Sequence, residues 1–131
     1  MKITRVFSDL EGESHFDEFE VPLHDRGAIG RLSDELPVRS IRFRLNDSGY
    51  DYDWHVAPHR QFVLLIDGGI EVETSDGETR RLKSGEILLL EDTSGRGHRT
   101  RNLEVRERRS AFVVIDENQL MPWLDNRSEK S

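Results

Sequence analysis

The chain contains no cysteine, which excludes disulfides, thiolate metal ligation and cysteine nucleophiles together. Basic charge is also in short supply. Against 26 acidic residues stand 19 lysines and arginines, a net charge of -7. The positive surface that a general nucleic-acid backbone binder needs is therefore missing. No apolar run reaches the roughly 18 residues of a membrane-spanning helix, and the stretch Met1-Lys2-Ile3-Thr4-Arg5-Val6 lacks a continuous apolar signal segment. A soluble, cytoplasmic protein with no nucleic-acid and no membrane partner is the expectation. Familiar catalytic signatures are missing too: there is no His-Glu-x-x-His helix, no phosphate-binding loop and no nucleophile elbow.

What remains is β-forming. A chain of 131 residues makes one ordinary domain, and residues 1–116 are expected to form it, with 117–131 as a partly packed C-terminal tail. Strands are predicted over 2–7, 15–23, 39–45, 50–56, 62–66, 70–74, 79–83, 86–90, 99–106 and 110–115. They are separated by turn signals such as Asp47-Ser48-Gly49, Asp67-Gly68-Gly69 and Asp76-Gly77. The segment 24–37 reads as a connection with one short helical turn near 33–36. In 39–45, Ile41, Phe43 and Leu45 share one face and Arg42 and Arg44 the other. The ordinary assignment puts the arginines on a solvated face, although with Arg60 they could neutralise an anionic ligand. The run Arg106, Arg108, Arg109 also reads as surface. Tail residues Leu120, Met121, Trp123 and Leu124 are expected to pack on the domain or in a dimer, with the chain fraying from Arg127.

Five histidines are the source of neutral-pH proton chemistry or nitrogen ligation. The densest polar group is Asp53-Trp54-His55-Val56-Ala57-Pro58-His59-Arg60-Gln61. In an unbroken strand Asp53 and His55 project to one side, and the turn at Pro58 can set Gln61 opposite them. The second group runs from Gly85 to Asn102 and holds Gly95-Arg96-Gly97-His98. A closed β fold can bring His98 across from His55.

At these residues the chain resembles the cupin superfamily, most closely small single-domain cupins. Asp53, His55, Gln61 and Gly68 stand where the first cupin motif has two histidines, a glutamate and a glycine. Gly85, Gly95, His98 and Asn102 match the second. The resemblance covers residues 50–102. It implies an all-β, double-stranded β-helix, a jelly-roll barrel with a central cavity.

The resemblance also implies a pocket of Asp53, His55, Gln61 and His98. The same four form the candidate ligand set for a divalent metal: iron, manganese, nickel, copper or zinc. Asp53 replaces a histidine and Gln61 a glutamate, so two functions stay open. One is a metal-dependent oxygenase or isomerase acting on a small molecule. The other is a metal-free cupin that binds a small molecule without catalysis; a structural or regulatory oligomer whose cavity is incidental is a third reading. His59 is a candidate substitute ligand with a surface position as its ordinary alternative, His15 is expected in a packing role, and His24 has only loop context. A homodimer is a further expectation from the family.

Overall fold

A computed structural model of the protein describes residues 1–124. It is almost entirely β. The strands are β1 (Lys2–Ser8), β2 (Ser14–Glu20), β3 (His24–Asp25), β4 (Arg31–Leu32), β5 (Ser40–Asn46), β6 (Asp51–His55), β7 (Gln61–Leu65), β8 (Ile70–Thr74), β9 (Thr79–Leu82), β10 (Ile87–Leu90), β11 (His98–Asn102) and β12 (Arg108–Val114). The predicted helical turn falls earlier than expected, as a 3-10 turn at Gly27–Ile29 between β3 and β4. Glycines with positive φ, Gly27 at its start and Gly30 just after it, allow the chain to reverse there.

Strands β5 to β12 pass back and forth between two sheets, except that the hairpin β8–β9 stays in one. The first sheet runs β2-β1-β10-β7-β12-β5 and the second β6-β11-β8-β9. The last four strands of the first and all four of the second interleave along the chain in jelly-roll order. Between the sheets lies a core that includes Val6, Phe16, Val63, Leu65, Val72 and Leu88. Burying each such aliphatic side chain stabilises the fold by about 1.5–3 kcal/mol.

The larger sheet is also buried on its other face. Ile3, Phe19, Phe62 and Leu89 pack there beneath Met121 and Trp123 from the tail, with Leu36 from the connection. Burial on both faces explains why Phe62-Val63-Leu64-Leu65 and Ile87-Leu88-Leu89-Leu90 read as continuous apolar runs without alternation. Leu120, by contrast, is exposed. Arg60 ties the tail down, donating to the carbonyls of Asp116, Glu117 and Gln119 while paired with Glu91. The expected fraying from Arg127 lies outside the described residues.

Strand β5 is turned opposite to the ordinary assignment. Ile41, Phe43 and Leu45 are 52%, 77% and 60% exposed, and Arg42 and Arg44 face inward, on the wall of a cavity. Alternation separates the two faces of a strand but does not say which one meets the core. Here β5 is the edge of its sheet, and its inner side borders a cavity that leaves Arg42 exposed and Arg44 half-buried.

His15 holds β2 to two loops. Its Nε2 lies 2.7 Å from Asp9 Oδ2 and its Nδ1 3.0 Å from Asp76 Oδ2. The Asp9 hydrogen bond, and behind it Asp76, raise the imidazole above its ordinary value. The unfolded chain therefore binds fewer protons in that range, and stability from His15 is full below the unfolded value and lost as pH rises through the folded one. Urea melts of His15→Gln are expected to show a loss of about 0.5–1 kcal/mol at about pH 6 that shrinks toward zero at about pH 9. An equal loss at both would mean that the imidazolium contributes nothing beyond packing.

Candidate functional site

The two sheets diverge around a cavity of about 660 Å³. Its walls come from β5, β6, β7, β10, β11 and β12, so residues far apart in sequence meet there. His55 and His98 are register partners between β6 and β11. Their ring centroids are 4.5 Å apart. Tyr52 stacks on His55 with centroids 3.8 Å apart. Gln61 enters from β7, and Val63, Leu88, Leu90 and Phe112 supply apolar wall.

Gly97 makes the approach of β6 and β11 possible. It has φ +73°, and a Cβ there would stand 2.1 Å from the His55 carbonyl oxygen. Only glycine fits, which is the physical content of the Gly95-Arg96-Gly97-His98 turn.

Asp53 does not join the histidines. Opposite the two-residue step from His98 to Thr100, β6 takes three residues, from His55 to Tyr52. The extra residue is a β-bulge. It puts Tyr52 and His55 on the cavity side and leaves Asp53 exposed and outside the lining. Side-chain parity in an unbroken strand predicts the reverse. Asp53 touches the site only through its backbone, whose carbonyl accepts a 2.7 Å hydrogen bond from His55 Nδ1. Because a carbonyl can only accept, His55 carries its proton on Nδ1 and presents Nε2 as an acceptor. Burial pushes the His55 imidazole below its ordinary value, against the Asp53 carbonyl, which pulls the other way.

His98 is held differently. Its Nδ1 donates to Asp92 Oδ2 at 2.5 Å, with the two residues 2% and 0% exposed. The Asp92 backbone carbonyl also accepts from Ala57 N at 3.1 Å, which fixes the loop after β10 against the one after β6. An imidazole oriented by a buried carboxyl has its Nε2 free to accept a ligand proton or hydrogen bond. Sequence reasoning missed Asp92. The one available signal was its position six residues before His98, on the far side of a glycine loop.

His59 is exposed where it borders the cavity. His15 and His24 are elsewhere, His24 facing Asp34 at 3.6 Å. Trp54 lies outside the lining, with Arg99 above its ring.

Arg108 corrects another expectation. It is 1% exposed, with Nε donating to Asn102 Oδ1 and Nη2 to Asn46 Oδ1. Nη1 has no partner among the described residues. Burial, and then the neighbouring Arg44, lower its guanidinium to about 10. Arg44, half-buried, donates to Ser110 Oγ at 3.0 Å and lies over the Phe112 and Tyr50 rings. Burial lowers it as well.

The eight interleaved strands, with the two motif halves meeting at His55 and His98, decide the architecture. The chain has a cupin fold. It is similar to the Cnp3 cupin domain of Schizosaccharomyces pombe, at 14% identity over 79% of this chain and 73% of that one, with a TM-score of 0.47. It is similar also to an RmlC-like cupin from Shewanella frigidimarina, at 18% identity over 86% and 93%, TM-score 0.44. A third likeness is to a conserved protein of unknown function from Streptococcus pyogenes, at 21% identity over 65% and 71%, TM-score 0.43. No protein-family model and no curated protein matches the chain. Likeness at this level says nothing of ligand or activity. Among the described residues no helix is long and apolar enough to cross a membrane.

Many cupins hold a divalent metal, and the residues of this chain do not fit one. Asp53 is turned away, and the cavity lining contains neither aspartate nor glutamate. His55 and His98 each donate from Nδ1, to the Asp53 carbonyl and to Asp92, which leaves two Nε2 donors that carry no charge. Gln61 and His59 complete a donor set without negative charge, beside the cations Arg42 and Arg44. Among the described residues no three histidine, aspartate or glutamate side chains converge to hold an ion. Hard divalent cations require anionic oxygen donors, and softer ones at least three well-placed ligands.

Proposed function

We propose that this cupin binds an organic small molecule in the cavity between its sheets and does so without a resident divalent metal. The observation that carries the reading is the composition of the lining, with two oriented imidazoles, a buried glutamine, aromatic and aliphatic walls, and no carboxylate. A cavity of about 660 Å³ suits this use, since small-molecule sites commonly run from about 300 to 1,000 Å³ and combine apolar walls with a few convergent polar groups. His55 Nε2, His98 Nε2 and the Gln61 carboxamide orient the ligand by hydrogen bonds.

Elemental analysis of the purified protein, followed by titration with iron, manganese, nickel, copper and zinc, tests the reading. The expected result is no stoichiometric uptake, and a thermal shift with organic ligands that His55→Ala diminishes. One equivalent of tightly held metal, lost in His55→Ala, would overturn it. Light scattering on the same samples reads the oligomeric state. A homodimer is proposed, covering the exposed Ile41, Phe43 and Leu45 on β5, and a monomer at every concentration would remove it.

A further inference from the structure

The arginines of this acidic chain divide into two populations. Most sit against carboxylates: Arg5 and Arg60 share Glu91, Arg81 and Arg101 share Glu71, and Arg109 meets Asp67. Arg39, Arg42 and Arg44 line the cavity, and Arg108 is buried behind Arg44 and Tyr50. None of these four has a carboxylate partner among the described residues. In a protein with a net charge of -7, partners are abundant, yet the cavity lining holds none.

Of the four, Arg44 is half-buried and Arg108 buried; a guanidinium withdrawn from water without a carboxylate is costly, and the cost is relieved when an anion enters. Arg44 is well prepared for that role. Ser110 Oγ and the rings of Phe112 and Tyr50 hold its guanidinium, so little side-chain freedom remains to be lost on binding. Arg42 stands one strand period away on the same face, more exposed. The planar fork of a guanidinium matches a carboxylate with two parallel N–H···O bonds. Beyond the arginines the wall turns apolar at Val63, Leu88 and Phe112, where a fully hydrated inorganic ion would gain nothing.

We propose that the ligand is an organic carboxylate, its charged group held by Arg44 and Arg42 and its apolar body lying along Val63, Leu88 and Phe112. This rests on the small-molecule reading above. The arginine face of β5 selects the anion, and His55, His98 and Gln61 address the other polar end of the ligand.

Matched pairs that differ only in charge test it: phenylacetate against phenylacetamide, and hexanoate against hexanamide, followed through the His55 and His98 ring resonances by NMR. The carboxylates are expected to bind about tenfold more tightly than the amides at low ionic strength, with the gap closing in high salt. Arg44→Gln should remove about tenfold of carboxylate affinity and leave the amides unchanged, and Arg44→Lys should fall between. Should Arg44→Gln not fold, Arg42→Gln and the salt series carry the same comparison, with a smaller drop. Equal binding of acid and amide, or inorganic phosphate competing as well as phenylacetate, would overturn the carboxylate while leaving the cavity as a binding site. If no compound of either series moves the histidine resonances, the binding reading fails with it.

Discussion

Replacing His98 with alanine is expected to destabilise the protein by about 2–4 kcal/mol, measured by urea unfolding. The side chain is 2% exposed and is the hydrogen-bond partner of Asp92 Oδ2. Asp92 Oδ1 already has no partner among the described residues. With the imidazole gone, a fully buried carboxyl loses its remaining side-chain bond, and a void opens beside it. Unsatisfied burial of a polar group costs about 1–3 kcal/mol, more when it is charged. Asp92→Ala should cost less, because His98 borders the cavity and can turn to water there. The double variant Asp92→Ala/His98→Ala should be more stable than the sum of the two single losses by about 1–3 kcal/mol. A loss below about 1 kcal/mol in His98→Ala would mean that water reaches Asp92 once the ring is removed, and that the pair is not a sealed structural unit.

Gly97→Ala is expected to cost more than about 3 kcal/mol and to abolish ligand binding together with the loss of stability. Its Cβ would stand 2.1 Å from the His55 carbonyl oxygen, 2.4 Å from the carbonyl carbon and 2.8 Å from Val56 N. All three are backbone atoms, so no rotamer change relieves the clash. The positive φ adds strain of its own. Relief requires β6 to move away from β11, and His55 and Tyr52 move with it. Gly77→Ala is the control. That glycine also has positive φ, +91°, but open space where its Cβ would go. It should cost about 1 kcal/mol and leave binding intact. Equal effects from the two substitutions would show that backbone conformation, and not the close approach to His55, is what Gly97 provides.

Much of the fold was legible in the residues. Alternating and continuous apolar runs marked the strands, and Gly-containing turns marked their ends, because strand periodicity and turn conformation are local properties. The correspondence of His55 and His98 was legible through the spacing of two motifs. The composition of the site was less so. Asp53 shares parity with His55 on paper, yet a bulge opposite His98–Thr100 puts Tyr52 in its place. A bulge is defined by the partner strand, which a linear pattern does not contain. The alternation of β5 separated its arginines from Ile41, Phe43 and Leu45 correctly, but the common habit of turning arginines to solvent put the wrong face inward. Arg108 sat in a basic run that resembles surface, while Asn46 and Asn102, brought from two other parts of the chain, accept from its Nη2 and Nε in the interior.

By itself the sequence determined an all-β chain with the strand spacing of a sandwich or barrel, no thiol chemistry, a surplus of negative charge and a pair of histidines at motif positions that resemble those of cupins. Tertiary structure alone decided which side chains share the cavity. It removed Asp53, added Arg42, Arg44 and Tyr52, and set Asp92 behind His98. The division has one physical reason. Secondary structure follows from neighbours along the chain. A site is made by strands whose register, facing and bulges are settled only when two sheets close on one another.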